Sequence, residues 1–316
     1  MTGAPVALVL RALGLGDFLT GLPAIALLRR QLPDHEIVLA APAVLAPLVD
    51  LAFAIDRLFP RGELQPLNGF GASVDIGIDL HGNGPASRRL LVELGPRRVV
   101  GFAYPGVDMP GPVWRADEHE VTRWCRFVSE SFGAAPASLP DVVGTIAVPD
   151  AAVPEGMTIV HPGAAAGARR WPAARFAQLA RELREDGHWV VVTGGGAERA
   201  LAAGIAAAAD VDVMLDLSLL ELAALVAHAR LVVCGDTGVA HLASAYRTRS
   251  VLLFGPVSPR IWGPPAAGPH RVLWHGDGTG DPHGDHPDPA LLRITVAEVL
   301  GALAGLSGTK LVREGA

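Results

Sequence analysis

The chain carries three clusters of residues whose types and spacing suit chemistry, and each directly follows an apolar, β-branched run. The first is Arg11-Ala-Leu-Gly-Leu-Gly16-Asp17. Its glycines allow a tight turn and close approach of a ligand, and Asp17 then falls at the start of the next helix. There a carboxylate either caps the helix or is available as a general base. The second is His161-Pro-Gly-Ala-Ala-Ala-Gly-Ala-Arg169-Arg170-Trp171-Pro172. Small residues let backbone N–H groups approach an anion, and an arginine among them can neutralise phosphate by paired hydrogen bonds. The competing reading is a surface loop with two solvated arginines, with Trp171 packing and His161 satisfying a local backbone group. The third is Gly235-Asp236-Thr237-Gly238-Val-Ala-His241. The open N–H groups of a helix start and the Thr237 hydroxyl suit a di-anionic phosphate. His241 lies four residues beyond Thr237, on the same helical face. A plain cap accounts for Asp236 or Thr237, but not for the whole cluster.

Other chemistries are less well served. The dinucleotide fingerprint G-x-G-x-x-G is not met, because the next glycine after Gly14 and Gly16 is Gly21, and there is no Walker A motif. A nicotinamide-dependent oxidoreductase is therefore a weaker alternative. The segment 275–288 holds His275, Asp277, Asp281, His283, Asp285, His286 and Asp288, but its spacing fits no zinc template and it reads as a solvated loop.

The three clusters need elements to hold them. Strand-like runs at Val6–Leu10, Ile37–Ala41, Val74–Leu80 and Arg98–Phe102 alternate with helical patterns at Leu22–Gln31, 42–54, Ala86–Leu94 and Asp117–Phe132. A Pro- and Ala-rich stretch, 134–156, reads as a linker. The alternation then restarts. Strands are expected at Met157–His161, Trp189–Thr193, Val213–Leu215, Leu231–Cys234 and Ser250–Phe254, with helices from 171, over 197–209, over 218–227 and over 237–246. Ser218-Leu-Leu-Glu221 and Thr295-Val-Ala-Glu298 are capping boxes, the second opening a final helix. The expected fold is α/β, with two doubly wound parallel sheets in domains 1–150 and 151–293 and a C-terminal helix in 294–316. Ligands of such sheets bind at the carboxyl ends of the strands, which is where the three clusters fall.

Composition narrows the classes further. With 316 residues, 50% hydrophobic and 18% charged, the chain has material for two buried cores. A net charge of −6 argues against a general nucleic-acid binder. Cys125 and Cys234 are too few for a disulfide framework and fit a reducing compartment. No stretch is long and apolar enough to span a bilayer, and the N-terminal run meets Arg11 at once, so it reads as a strand rather than a signal peptide and the expectation is a cytoplasmic protein. Arginine supplies every basic side chain except Lys310, which reads as the codon bias of a GC-rich genome.

In this order and spacing, Gly16-Asp17, the block from His161-Pro-Gly to Trp171-Pro172-Ala-Ala-Arg-Phe176, Gly235-Asp-Thr-Gly238 with His241, and Phe254-Gly-Pro256 resemble glycosyltransferase family 9, the ADP-heptose heptosyltransferases of lipopolysaccharide assembly. The resemblance implies a GT-B fold, with two Rossmann-like domains facing a cleft, and an inverting transfer that needs no metal or other cofactor. It implies Asp17 as the catalytic carboxylate, with Gly16, Arg11 and His81 on the acceptor side. Arg169 stands where the family usually has a lysine on the donor diphosphate, joined by Thr237 and Gly238. Asp236, His241, Glu198, Leu217 and Ser218 fall to the donor sugar and nucleotide, and the last helix to packing on the first domain. The implied partners are an ADP-linked sugar and a glycolipid, cell-wall or small-molecule glycoside acceptor, with weak membrane-surface association and no nucleic acid. Two departures stand out. Ala164-Ala-Ala166 replaces the hydroxyl residues common in that loop, and Asp79-Leu-His81-Gly82 replaces Asp-x-Gln-Gly. An epimerase of nucleotide-sugars shares the implied architecture and is the nearest enzymatic alternative.

Overall fold

The computed structural model of the chain describes residues 3–105, 111–133 and 145–307. It divides into two compact units, Met1–Pro149 and Asp150–Ala316. Of the stretch read as a linker, 134–144 lies outside the described residues.

The first unit runs β1 (Val6–Leu10), α1 (Leu15–Gln31), β2 (Glu36–Ala41), a 3-10 turn, α2 (Ala46–Val49), β3 (Arg57–Pro60), β4 (Ile76–Asp79), α3 (Pro85–Val92), β5 (Arg98–Val100) and α4 (Glu120–Phe132). Its strands are all parallel, in the order β3-β2-β1-β4-β5. The second runs β6 (Thr158–His161), a 3-10 turn at Gly167–Arg169, α5 (Ala173–Glu185), β7 (Val190–Gly194), a 3-10 turn at Gly196–Glu198, α6 (Arg199–Ala209), β8 (Asp212–Leu215), α7 (Leu219–His228), β9 (Leu231–Gly235), α8 (Gly238–Ala245), β10 (Ser250–Phe254), α9 (Pro259–Trp262), β11 (His270–Trp274), α10 (Pro289–Arg293) and α11 (Val296–Ser307). Its sheet is parallel in the order β11-β10-β9-β6-β7-β8. Both sheets therefore start in the middle, wind outward through two strands, and return to the other side of the first strand. β1, β9 and β10 are buried at every position, as a parallel strand covered on both faces must be.

The α/β alternation expected from the sequence is present, with differences at the edges. β3 and β11 were not anticipated. Each is the outermost strand of its sheet, flanked by Pro or Gly, and β3 has no hydrophobic alternation to reveal it. The helix expected over 42–54 ends after one turn at Val49, and α1 begins at Leu15 rather than Leu22. The last helix, expected on the first unit, is built into the second: its apolar stripe of Val296, Val299, Leu303 and Leu306 joins the core formed by α5, β10 and β11. Both expected capping boxes close, with Glu221 N–H donating to Ser218 Oγ and Glu298 N–H to Thr295 Oγ1. No described helix is long and apolar enough to cross a membrane.

Candidate active site

In a doubly wound sheet the crevice for a ligand opens where successive connections leave in opposite directions. In the first unit that point lies between β1 and β4, and in the second between β6 and β9. The three clusters sit there, because Arg11 and Asp17 follow β1, His161 ends β6 and Asp236 follows β9.

Asp17 lies in the first turn of α1, whose N-cap, Gly14, supplies no side chain to the open N–H groups. Its side chain is 30% exposed, and burial raises its pKa from the ordinary value, with Arg11 acting downward and Glu120 upward. Arg11, expected on the acceptor side, is 1% exposed and contacts protein instead. It donates from Nε to the Asp17 carbonyl, from Nη1 to the Leu80 carbonyl and from Nη2 to Thr20 Oγ1 at 3.2 Å. Its guanidinium lies 4.9 Å from the ring centroid of Trp124. Gly21 is required beside it, since a methyl group there would meet Arg11 Nε at 2.6 Å. Gly16 contributes its carbonyl, which accepts from Thr20 Oγ1 at 3.0 Å.

His81 follows β4 on the same crevice. Its backbone N–H donates to Asp79 Oδ1 at 3.1 Å, while its Nδ1 is buried and has no hydrogen-bond partner among the described residues. Burial holds the imidazole below its ordinary pKa, with Glu63 opposing and Arg11 reinforcing. Asp79 is fully buried, accepts from Ser87 Oγ at 2.9 Å and is pushed up by burial to about 6.

In the second unit Arg169 ends the 3-10 turn after β6, and its Nη1 stands 3.8 Å from Asp236 Oδ2. Thr237 is the N-cap of α8 with extended backbone, and Gly238 opens the helix. The turn and strand fit closely: a methyl on Gly235 would meet the Arg169 carbonyl at 2.9 Å. Asp236 is buried, with 6% exposure, and His241 stands edge-on to Trp262 with ring centroids 5.9 Å apart. Trp171 packs, as expected, with Nε1 donating to the Ile294 carbonyl.

The remaining expected donor residues lie nearby with mixed engagement. Glu198 ends the 3-10 turn after β7, and its carboxylate rests against Gly163, where any side chain would collide with it. Burial raises its pKa, and Arg170 counteracts. Ser218 is committed to its capping box, and Leu217 precedes it in the turn after β8. His161 Nδ1 lies 2.9 Å from Thr193 Oγ1, and its ring also engages the Thr193 backbone.

The 275–288 segment is organised by short local bonds. Asp277 accepts from Thr279, Asp281 from the His283 N–H, and Asp288 caps α10. Among the described residues no three His, Cys, Asp or Glu side chains converge as metal ligands. The segment also straps the arginine turn, with Ala168 N–H donating to the Gly284 carbonyl at 2.8 Å and Asp288 N–H to the Ala168 carbonyl at 3.2 Å. Gly167 permits this contact, since a methyl there would meet the Asp285 carbonyl oxygen at 1.9 Å.

Burial in this unit has a pH consequence. His161 and His270 are each held down to about 4 by desolvation. Below about pH 6.5 the unfolded chain then binds more protons than the folded one, so stability falls as pH drops from 6.5 towards 4. Asp79 has the opposite sign, since the folded state binds its proton up to about 6. The raised Asp17 and Glu198 act with Asp79, and the lowered His81 and His188 act with the two imidazoles, so the contribution of one histidine is read from its own variant. In urea denaturation, His270→Asn should raise the unfolding free energy at pH 5 relative to that at pH 7 by about 2 kcal/mol, the difference that a histidine held down to about 4 contributes. An unchanged difference would show that His270 is not a buried neutral imidazole.

Sequence reading missed Glu120, Thr20 and Gly21. The available signal was Glu120 itself, a carboxylate one turn before Trp124 on the apolar stripe of α4.

Comparison with known proteins agrees with this architecture. The model of glycosyltransferase family 9 (heptosyltransferase) matches residues 112–277, more than half of the chain. The chain is 31% identical over 159 residues to lipopolysaccharide heptosyltransferase 2 of Escherichia coli strain K12, covering 46% of this chain and 45% of that protein. It is 41% identical over 100 residues to lipopolysaccharide heptosyltransferase 1 of Pseudomonas aeruginosa, covering 30% and 27%. The matched stretch thus spans less than half the length of these relatives. A solved family 9 glycosyltransferase from Veillonella parvula superposes with a TM-score of 0.80 at 19% identity, over 97% of this chain and 98% of that one. Escherichia coli ADP-heptose heptosyltransferase II gives 0.74 at 21% identity, over 95% and 98%. These likenesses establish the GT-B fold class. With the motifs at both crevices and a family match across half its length, the chain belongs to glycosyltransferase family 9.

Proposed function

We propose that the chain is an inverting glycosyltransferase that moves a heptose from an ADP-linked donor to a hydroxyl of a glycoside acceptor. The observation that carries this is the Arg169 guanidinium beside Asp236 at the N-terminus of α8, an arginine-bearing, N–H-rich cradle at the crevice of the second sheet. Supporting it, a similar Escherichia coli heptosyltransferase was solved with ADP, and again with ADP-2-deoxy-2-fluoro heptose.

The chemistry follows from the residues. The acceptor oxygen gives its proton to the Asp17 carboxylate and forms a bond to the anomeric carbon. The bond from that carbon to the diphosphate oxygen breaks on the opposite face, inverting the centre. Arg169 and the N–H groups at Thr237 and Gly238 offset the charge that builds on the departing diphosphate, the task a divalent cation would otherwise perform. Asp236 and His241 orient the sugar, Glu198 the ribose, and Leu217 with the turn at Ser218 borders the base. Gly16 and His81 form the acceptor side. A glycolipid acceptor would bring weak association with a membrane surface, and a cytoplasmic location is part of the same reading.

A thermal-shift series with ADP-, UDP-, GDP- and dTDP-sugars tests the donor. Stabilisation by an ADP-sugar alone is expected, since a ligand bound only by the folded state raises Tm by an amount that grows with the logarithm of its concentration relative to Kd. Stabilisation by another nucleotide, or by none, would overturn the assignment.

A further inference from the structure

We infer that Arg11 and Glu120 form a charge-matched positioning pair for Asp17, in which Glu120 engages the guanidinium edge that would otherwise bond the Asp17 carboxylate. The inference rests on the reading of Asp17 as the base. Glu120 opens α4, which packs along α1, and the Arg11 Nη2 atom stands 3.4 Å from Glu120 Oε1. The same Nη2 is 3.2 Å from Thr20 Oγ1, so both of its hydrogens have acceptors other than the Asp17 carboxylate. Asp17 Oδ1 lies 3.8 Å from that nitrogen, within ionic reach and beyond hydrogen bonding. Arg11 instead grips the Asp17 backbone carbonyl, which fixes where the first turn of α1 presents its carboxylate.

Glu120 is itself held. Trp124 Nε1 donates to its Oε1 at 2.6 Å, and Arg123 Nη1 pairs with its Oε2. The side chains of Arg11, Glu120 and Arg123 are each less than one-tenth exposed, so this is a buried cation–anion–cation row. The charged groups that act on Asp17 are Arg11 from the turn after β1 and Glu120 from α4, with Arg123 on the far oxygen of Glu120. Asp79 and His81 lie at the end of β4, and His81 interacts with Arg11. A cation this close and uncompensated lowers a carboxylate by about 1–3 units and makes it a poor base. Glu120 acts on Asp17 in the opposite direction to Arg11.

The test is a 13C-carboxyl NMR titration of aspartate-labelled protein, with the Asp17 signal assigned by its loss in Asp17→Asn. Glu120→Gln should move the Asp17 midpoint to lower pH. Should that variant not fold, Glu120→Asp, which withdraws the charge by one methylene, should move it the same way by less. Trp124→Phe removes a hydrogen bond to Glu120 but no charge, and should lower Tm while leaving the midpoint in place. A midpoint unmoved by the Glu120 variant, or moved equally by Trp124→Phe, overturns the pairing. A moved midpoint alongside a fully active Asp17→Asn keeps the pairing and removes Asp17 as the base, so the two failures are distinguishable.

Discussion

Asp17→Asn is expected to lose about 10²–10⁴-fold in turnover while binding the donor as before, the usual consequence of removing a general base. Asparagine has nearly the same shape and keeps an oxygen for local hydrogen bonds, but it cannot take the acceptor proton. The fold should tolerate the change. Asp17 is 30% exposed, and a first-turn carboxylate contributes only about 0.3–1 kcal/mol through the helix dipole. Donor affinity should be unaffected, because the residues assigned to the diphosphate belong to the second unit, with Arg169 after β6 and Thr237 after β9. Calorimetry with the ADP-sugar and single-turnover release of ADP separate the two quantities. Because burial raises the Asp17 pKa, the activity of the unaltered chain should fall as pH drops through that raised value, where the base becomes protonated. Asp17→Asn should lack this acid limb. Turnover equal to that of the unaltered chain would remove Asp17 from the mechanism.

The candidate site was legible in the sequence to the extent that it depends on local order along the chain. Strand, glycine turn and helix start follow one another at Gly16-Asp17 and Gly235-Asp-Thr-Gly, and in a parallel sheet that order alone places them at the carboxyl edge. What the sequence did not show was contact between distant segments. Arg11, expected on the acceptor side, is enclosed by Gly21, Thr20 and Trp124, the last from a helix more than a hundred residues on. The 275–288 segment looks like a solvated loop, and only Gly167, with room for the Asp285 carbonyl, shows that it straps the arginine turn. The edge strands β3 and β11 were missed because they lack the continuous apolar run that marks strands buried on both faces.

Arg169→Ala should weaken donor binding and slow transfer together, with kcat/KM falling about 10²–10³-fold, the scale of losing one charge-stabilising donor. Its side chain is 22% exposed, open enough to meet a ligand yet sheltered enough for its charge to count. Its turn is fixed by the Gly235 strand end on one side and the strap at Gly284 on the other, so truncating the side chain should leave the backbone in place. An arginine bound to the donor before and during transfer acts on both steps, because diphosphate charge is present in the bound donor and increases as the bond breaks. Arg169→Lys separates charge from geometry. Lysine keeps the cation as a point charge without the planar fork, so this variant should stay within about tenfold of the unaltered chain, while Arg169→Ala should not. A lysine variant as poor as alanine would mean that paired hydrogen bonds, rather than charge, hold the diphosphate. An alanine variant with unchanged ADP affinity and turnover would mean that the diphosphate does not lie at the N-terminus of α8.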